Sequence, residues 1–300
     1  MFVNPAATRG RRQLGEARTI LARHFDLVVH DTTSAEAMFE LAARESRQGC
    51  GLIIAGGGDG TINVIVNAIA GTGATLGILP MGTANDFARQ LGLAQNLEVA
   101  ARRIVSGRLK NVDVIAVNGR RFCTVGGLGL VTECAMSANR LKAAGHPLRP
   151  IARCFGSAIY PVVAVAKILL GGRCTWDLNL EWTEPGNKKS ATLRATLHGM
   201  FFANQRVLGG ALTLPADSCN DDGLVDLCVM HAGHRLRLLG TVLALRTARP
   251  VDRRVISVHR ASRVRIESGI ELGFLGDGEL LCAGRHFELE VIAGGLPVIC

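Results

Sequence analysis

The sequence has few aromatic residues and lacks the motifs of several common protein classes. Phe, Trp and Tyr make up only 4% of its 300 residues, which argues against the stacking surfaces that bind single-stranded nucleic acid. No Gly-Lys pair occurs, and this excludes a Walker A phosphate loop. No Gly-x-Ser-x-Gly sequence occurs either, so the nucleophile elbow of a serine hydrolase is absent. We therefore expect neither a nucleic acid partner nor one of these two enzyme classes.

Cysteine spacing and apolar runs exclude two further classes. None of the nine cysteines forms a Cys-x-x-Cys pair, so the sequence predicts scattered thiols in a reducing cytosol rather than a disulfide framework or a zinc knuckle. The most apolar long window, residues 151–170, contains Arg153, Tyr160, Pro161 and Lys167. Such interruptions argue against a helix that spans a membrane. A core or interfacial helix fits this window better.

Positive charge, in contrast, is abundant. The net charge is +9, which suits anionic partners such as nucleotides or an acidic membrane surface. The first residues show no signal-peptide pattern, because Asn4-Pro5 and several arginines stand there.

Periodicity predicts helices at 11–23, 35–47 and 97–106, and later at 130–141 and 154–170. Between these groups, Gly126-Gly127-Leu128-Gly129 is only a weak match to a Gly-x-Gly fingerprint.

Two glycine-rich loops form the centre of the pattern. The apolar residues 51–55 lead into Gly56-Gly57-Gly58-Asp59-Gly60-Thr61, and the apolar residues 76–79 lead into Pro80-Met81-Gly82-Thr83-Ala84-Asn85-Asp86-Phe87. Each apolar run is typical of a buried parallel strand that is followed by a loop and a helix. Because the carboxyl ends of parallel strands share one edge of the sheet, we expect the two loops to lie side by side there.

The residues of these loops indicate a phosphate site. Glycines permit positive φ and let an anion approach the backbone, and the N-terminus of a helix presents fixed positive dipoles. Thr61 and Thr83 can add hydroxyl donors, and Asp59 can hold a loop amide or face a metal. Asn85 or Asp86 is predicted to cap the helix that follows. A tight strand-to-helix turn without a ligand is the alternative, but the second loop favours nucleotide phosphate.

Gly57-Gly58-Asp59-Gly60-Thr61 together with the loop at 82–87 resembles the diacylglycerol kinase catalytic-domain family. That family includes bacterial lipid kinases and the sphingosine and ceramide kinases, and it is related to NAD kinases. The resemblance covers nearly the whole chain and implies an α/β plus β fold. Residues 1–108 are expected to form an open α/β nucleotide-binding domain like that of NAD kinases, and residues 109–300 a β-rich sandwich that binds the lipid. It is left open whether the last residues return to the first domain.

The resemblance also implies which residues bind ATP. Thr32 falls where relatives place a threonine that contacts the nucleotide, although it is also a candidate N-cap for the helix at 35–47. Val64 departs from the family pattern, because many relatives have glutamate there. The expected ATP-binding residues are Thr32, Gly57, Gly58, Asp59, Gly60, Thr61, Asn63, Gly82, Thr83, Asn85 and Asp86.

An acidic loop at residues 217–226 is the first of two clusters in the second domain. By itself it favours a polar loop closed by an Asp-Gly turn, although closely spaced carboxylates also suit a hard cation. The resemblance implies a structural Mg²⁺ that is held by the Asp222 carboxylate and by the carbonyls of Cys219 and Leu224. Asp221 and Asp226 leave open which carboxylate matters.

The second cluster is Gly276-Asp277-Gly278-Glu279. On an extended segment Asp277 and Glu279 would point to the same face and converge on one proton, as a base for phosphoryl transfer to an alcohol requires. The alternative is an ordinary Asp-Gly hairpin turn. The resemblance implies that this Asp-Gly-Glu accepts the proton, so Asp277 and Glu279 are both predicted to be catalytic.

Taken together, these patterns predict a cytoplasmic lipid kinase that is peripheral to an anionic membrane surface and uses ATP and Mg²⁺. Diacylglycerol is the leading acceptor, and phosphatidic acid is then the product. The alternatives are an NAD kinase-like enzyme and a nucleotide- or lipid-binding protein without catalysis. The sequence leaves open the acceptor lipid, the ligands of the catalytic metal, and whether the chain forms a homodimer.

Overall fold

A computed structural model describes residues 1–3, 11–32, 34–82, 84–143, 145–170, 174–185 and 190–300. Thr83, one of the residues expected to bind ATP, lies outside these ranges. The chain divides into two compact units. The first comprises Met1–Val114, Arg121–Cys123 and Ile292–Cys300, and the second comprises Ile115–Arg120 and Thr124–Val291.

The first unit alternates strands and helices. Its strands are β1 (Phe2–Val3), β2 (His30–Asp31), β3 (Leu52–Gly57) and β4 (Thr75–Pro80). Its helices are α1 (Arg11–Ala22), α2 (Ala35–Arg47), α3 (Asp59–Ile69), α4 (Asp86–Gln90) and α5 (Leu97–Ser106). Two strands, β5 (Leu109–Val117) and β6 (Arg120–Phe122), contribute residues to both units.

The second unit is dominated by strands. They are β7 (Val125–Gly129), β8 (Trp176–Thr183), β9 (Ser190–Ala203), β10 (Val207–Leu208), β11 (Leu212–Thr213), β12 (Val225–His231), β13 (Ile256–Ala261), β14 (Arg263–Gly276) and β15 (Glu279–Ile299), whose last residues belong to the first unit. Its helices are α6 (Leu130–Lys142), α7 (Arg149–Cys154), a short 3₁₀ turn (Gly156–Ala158), α8 (Ile159–Leu169) and α9 (Arg235–Arg246).

The sheet of the first unit is parallel and covered by helices on both faces. Its order is β2-β1-β3-β4, and the end of β15 pairs in parallel with β4. Ile62 and Ile65 of α3 are buried on one face together with residues of α2. Leu21 of α1 and Ile104 of α5 are buried on the other. Each fully buried aliphatic side chain contributes about 1.5–3 kcal/mol, so the sheet is held from both sides and its carboxyl edge is rigidly placed.

The second unit is an antiparallel sheet built on two long strands. One half of β9 and of β14 pairs with β8, and the other half of each pairs with β7. β12 pairs with β9 and β13, and β15 pairs with β14. Inward-facing side chains of β8 alternate with outward-facing ones, as expected for a sheet with one buried face. The α/β first unit and the β-rich second unit confirm the predicted fold class.

One local prediction was wrong. The helix predicted at 154–170 is interrupted, because α7 ends at Cys154 and α8 begins at Ile159, where Pro161 is tolerated in the first turn. Gly126–Gly129 lies in the buried strand β7. Glycine is required at 127 because a Cβ there would lie 2.4 Å from Val131 Cγ1. Across the described residues, no helix combines the length and apolar composition needed to cross a membrane.

Candidate active site

The two glycine-rich loops lie side by side in the first unit, as the parallel strands predict. Gly57 at the end of β3 is opposite Pro80 at the end of β4. Beyond them, the Met81 amide donates to the Gly57 carbonyl at 2.8 Å. The loops therefore leave the sheet at one edge, where open α/β sheets bind their ligands.

Close backbone approach explains the glycines of these loops. A Cβ on Gly57 would lie 2.3 Å from Thr61 Oγ1, and a Cβ on Gly82 would lie 2.5 Å from the Gly58 Cα. Gly58 has φ −93° and Gly57 continues β3, so the positive φ expected here is not what requires these two glycines. Gly57 is required because the Thr61 side chain fills the space of a Cβ, and Gly58 and Gly82 are required because the backbones of the two loops meet there.

Helix α3 starts directly at the loop. Gly58 occupies its N-cap position without a side-chain cap, and the first intrahelical bond runs from the Ile62 amide to the Gly58 carbonyl at 3.0 Å. The amides of a first helical turn point out along the axis and attract anions. Asp59 Oδ1 accepts from the Phe87 amide of the second loop at 3.4 Å. Of the two uses expected for Asp59, this contact corresponds to holding a loop amide.

Asn85 occupies the N-cap position of helix α4, one of the two positions predicted for the cap. It adopts a left-handed conformation with φ 49° and makes no side-chain cap bond, because its side chain bonds within the second loop. Its side chain accepts from the Gly82 amide at 2.8 Å and donates to the Gly82 carbonyl at 3.1 Å. It also donates to Gln95 Oε1 at 2.7 Å, a partner that no sequence signal indicated. Asp86 is half-buried and is the first residue of α4.

Thr32 follows β2 at the same edge of the sheet. Its Oγ1 is buried and has no hydrogen-bond partner among the residues that the structure describes. The alternative of an N-cap was wrong, because Ser34 occupies that position and its Oγ accepts from the Ala37 amide at 3.3 Å. Contact between Thr32 and a nucleotide remains a prediction.

Asn63 of helix α3 contacts strand β6. Its Nδ2 donates to the Arg121 carbonyl at 3.2 Å, and Asn67 donates to the same carbonyl at 2.8 Å. These contacts hold strand β6 against α3, and contact between Asn63 and ATP stays a prediction. Its neighbour Val64 is partly buried against the apolar cluster between α2, α3 and the sheet, where a glutamate would be costly to bury.

In the second unit, Asp277 and Gly278 form the two-residue turn between β14 and β15. Both have positive φ, 50° and 84°, and Gly276 pairs with Glu279 across the turn. Two consecutive positive φ values are typical of a type I′ hairpin. The extended conformation predicted for this segment was therefore wrong, and the hairpin alternative was correct.

The turn directs Asp277 towards Thr124 rather than towards Glu279. Asp277 Oδ1 accepts from the Thr124 amide at 2.8 Å and from Thr124 Oγ1 at 2.6 Å. The Asp277 amide donates to the Val125 carbonyl at 3.1 Å. On the other side, Asn139 Nδ2 donates to the Gly278 carbonyl at 3.1 Å. Sequence reasoning missed Thr124 and Asn139, because they are far from the turn in the chain.

Glu279, at the start of β15, is exposed at the end of this fixed turn. Neighbouring protein displaces water from the carboxylate, and this desolvation raises its pKa above the ordinary value of 4.5. Its side chain makes no hydrogen bond or ion pair within the described ranges. A desolvated carboxylate that solvent still reaches is a stronger base than a free one, and it is open to a hydroxyl substrate.

An arginine pairs with the acidic loop that is predicted to hold a structural metal. Asp222 Oδ1 accepts from the Leu224 amide at 3.0 Å, while Oδ2 pairs with the Arg260 guanidinium. The same guanidinium lies 3.7 Å from Asp226 Oδ1. Cys219 Sγ donates to Asp221 Oδ1 at 2.6 Å.

Arg260 thus already supplies the positive charge that a cation would bring to Asp222, and it would repel one. Over the described part of the chain, no group of three or more His, Cys, Asp and Glu could hold a metal ion. Burial raises the pKa of Asp226, which also weakens it as a metal ligand, because a ligating carboxylate must be ionised. The ion pair with Arg260 argues against a metal at Asp222, and the set of the Asp222 carboxylate with the carbonyls of Cys219 and Leu224 stays a prediction.

Two family models match the chain. Residues 1–117 match the diacylglycerol kinase catalytic domain, and residues 150–300 match the YegS C-terminal NAD kinase beta sandwich-like domain. The second match covers most of the β-rich unit and the last residues of the chain, which belong to the first unit.

Whole-chain relatives agree with these matches. The chain is 33% identical to a probable lipid kinase YegS-like of Serratia proteamaculans, with 85% of this chain and 79% of that protein covered. It is 28% identical to a diacylglycerol kinase of Bacillus subtilis, covering 85% and 80%. A crystal structure of a putative diacylglycerol kinase from Bacillus anthracis shares its fold with a TM-score of 0.77 at 24% identity, over 99% of this chain and 95% of that one.

Proposed function

This chain belongs to the diacylglycerol kinase catalytic-domain family and is a lipid kinase, and from that premise we propose that it phosphorylates diacylglycerol with ATP. The product is phosphatidic acid. The name of the Bacillus subtilis relative supports this acceptor, whereas the Serratia relative is named only as a probable lipid kinase. Because ATP is the donor, we place the reaction on the cytoplasmic surface of a membrane.

The observation that carries the mechanism is the raised pKa and solvent access of Glu279. Glu279 accepts the proton of the lipid hydroxyl as the hydroxyl oxygen bonds to the γ-phosphorus. The bond from that phosphorus to the β,γ-bridging oxygen breaks, and ADP leaves with the electron pair. A positioned base typically contributes about 10²–10⁴-fold to the rate.

Asp277 has a different part in this proposal. Its Oδ1 is already engaged by two donors on Thr124, so it is less suited to taking a proton. Asp277 is a positioning residue that fixes the turn and so the direction of Glu279. The two carboxylates were predicted to act together, but in this proposal Glu279 is the base and Asp277 positions it.

ATP is proposed to bind at the loop edge of the first unit. The first-turn amides of α3 hold its phosphates, and glycines at 57, 58 and 82 keep the edge open. The buried Thr32 hydroxyl is suited to a further hydrogen bond with the nucleotide. Mg²⁺ accompanies ATP as the counter-ion of the phosphates, and the Asp222 loop has no part in holding it.

A transfer assay tests the proposal. Purified protein receives ATP labelled at the γ-phosphate, Mg²⁺, and mixed micelles that contain diacylglycerol, sphingosine, ceramide or monoacylglycerol, with NAD as a separate acceptor. Label in diacylglycerol supports the proposal, and label in another lipid keeps the kinase but changes the substrate. Label in NAD alone would favour an NAD kinase-like enzyme. ATP binding without transfer to any acceptor would favour a binding protein.

A further inference from the structure

Helix α8 exposes apolar residues to solvent. The exposed positions follow one helical stripe, which comprises Val162, Ala166, Leu169 and, at the C-cap, Leu170. Leu169 is 64% exposed and Leu170 is 86% exposed. A surface helix normally buries its apolar stripe and exposes polar residues. Here both the buried and the exposed sides are apolar, so the exposed stripe needs another explanation.

Helix α9 has the same property beside it. Its exposed stripe contains Leu236, which is 70% exposed, Gly240, and Leu243, which is 60% exposed. The two helices pack together. Arg235 Nη1 at the start of α9 donates to the carbonyl of Ile168 at the end of α8 at 3.2 Å. Leu169, Leu170 and Leu236 therefore lie close to one shared end, whereas Leu243 lies about two turns further along α9.

The charged residues of α8 and α9 themselves are all basic. Residues 134–176 contain no aspartate or glutamate, and neither do residues 227–251. Arg237 and Arg246 of α9 are exposed. Lys167 is neutralised by Glu133 at 3.1 Å and does not count towards this surface. Exposed leucines flanked by arginines without acidic residues are typical of helices that lie in a membrane interface.

We propose that α8 and α9 dock the enzyme on an anionic lipid bilayer, with Leu169, Leu170 and Leu236 inserted among the lipids. Arg237 and Arg246 then lie among the anionic headgroups. A second copy of the chain is a poorer occupant, because a symmetric contact would bring the arginines of α9 against each other. The inference deepens the proposed function, on which it rests, by naming the surface that brings the kinase to its lipid.

Vesicle sedimentation without ATP tests the docking surface independently of catalysis. The probes are vesicles of phosphatidylcholine with phosphatidylglycerol and vesicles of phosphatidylcholine alone. Wild type should sediment with the anionic vesicles, and less so as salt rises. L169S/L170S should weaken binding on the order of tenfold for each leucine. R237Q and R246Q should each weaken it about fivefold, with a shallower salt dependence.

Matched controls distinguish binding through this surface from nonspecific binding by other exposed apolar residues. Leu109→Ser and Val28→Ser remove apolar residues that are 66% and 60% exposed in the first unit, and neither should change vesicle binding. All variants should retain phosphoryl transfer to a monodisperse short-chain diacylglycerol, so loss of docking is distinguishable from failure of the proposed reaction.

Three results would overturn the proposal. The first is unchanged vesicle binding by L169S/L170S with the variant folded. The second is equal loss in the Leu109→Ser control. The third is a wild-type dimer in solution that L169S/L170S converts to monomer, because this would assign the surface to a second copy of the chain.

Discussion

Replacing Thr124 by valine tests whether Asp277 fixes the catalytic turn. Valine keeps the shape of threonine but removes the hydroxyl that donates to Asp277 Oδ1 at 2.6 Å. Hydrogen bonds to charged groups contribute about 1.5–3 kcal/mol, and Asp277 is half-buried, so the lower value applies. The amide bond of Thr124 to the same oxygen remains. Thr124→Val should therefore lower the free energy of unfolding by about 1.5 kcal/mol.

Asp277→Ala should cost more, for two reasons. It removes both Thr124 bonds, and it places alanine at φ 50°, which adds about 1 kcal/mol. A total loss of roughly 4 kcal/mol follows from these terms. Both substitutions remove the bond from the Thr124 hydroxyl to Asp277, so the loss in the double variant should be smaller than the sum of the two single losses by about 1.5 kcal/mol.

Urea unfolding followed by tryptophan fluorescence measures these losses of stability in the second unit, where the substitutions lie. The sequence has two tryptophans, and both, Trp176 and Trp182, are in β8 of the second unit. Thr196→Val is the matched control, because its hydroxyl also donates to an aspartate, Asp177, but at an exposed position. The control should stay within about 0.5 kcal/mol of wild type.

The same variants report on positioning. Thr124→Val should lower kcat on the order of tenfold, because a loosened turn misdirects Glu279, while KM for ATP stays unchanged and Thr196→Val keeps full activity. A Thr124→Val enzyme with wild-type stability and kcat, or strict additivity with Asp277→Ala, would refute the reasoning.

Three further predictions concern pH, the loops and the acidic loop. Because desolvation raises the pKa of Glu279, the rate should fall on the acidic side at a midpoint above 4.5, and a pH–rate profile with a lower midpoint would contradict the assignment. Gly82→Ala should weaken ATP binding at least about tenfold by forcing the loops apart, measured by calorimetry beside Gly51→Ala, where a Cβ meets nothing within 4 Å. Arg260→Gln should lower the melting temperature, whereas EDTA should leave the melting temperature of the wild type unchanged. Stabilisation of the wild type by Mg²⁺ alone would show that the loop binds metal. Burial raises the pKa of Asp226 in the folded protein above the ordinary value of 3.8. The free energy of unfolding should therefore fall as the pH rises from 3.8 towards the raised pKa, because Asp226 ionises less readily in the folded protein than in the unfolded chain. This loss should be larger in Arg260→Gln.

The first unit could be predicted well from the sequence, because its signals are local. Apolar runs that end in glycine loops identify buried parallel strands, and the structure places both loops at one edge. The same reasoning missed why glycine is needed, since contact between Gly58 and Gly82 depends on strand pairing. It also missed Gln95 as the partner of Asn85, because side-chain pairing across a loop leaves no periodic trace.

The second unit was harder because its decisive contacts join distant residues. The Asp-Gly pair carried both a catalytic and a turn interpretation, and only the pairing of β14 with β15 selects the turn. Thr124 precedes Asp277 by more than half the chain, so no spacing rule connects them. Likewise, Arg260 reaches Asp222 and Asp226 through the pairing of β12 with β13, and this ion pair competes with the predicted metal for Asp222.

The most direct test of the account is phosphoryl transfer by Glu279→Gln, measured together with its affinity for ATP. Glutamine keeps the size of the side chain but cannot accept the proton of the lipid hydroxyl. The account predicts that kcat for diacylglycerol falls by about 10²–10⁴-fold while ATP affinity and the unfolding curve match those of wild type. Asp277→Asn, whose oxygen can still accept from Thr124, should lose far less activity. Near-normal turnover by Glu279→Gln, or a greater loss in Asp277→Asn, would contradict Glu279 as the base.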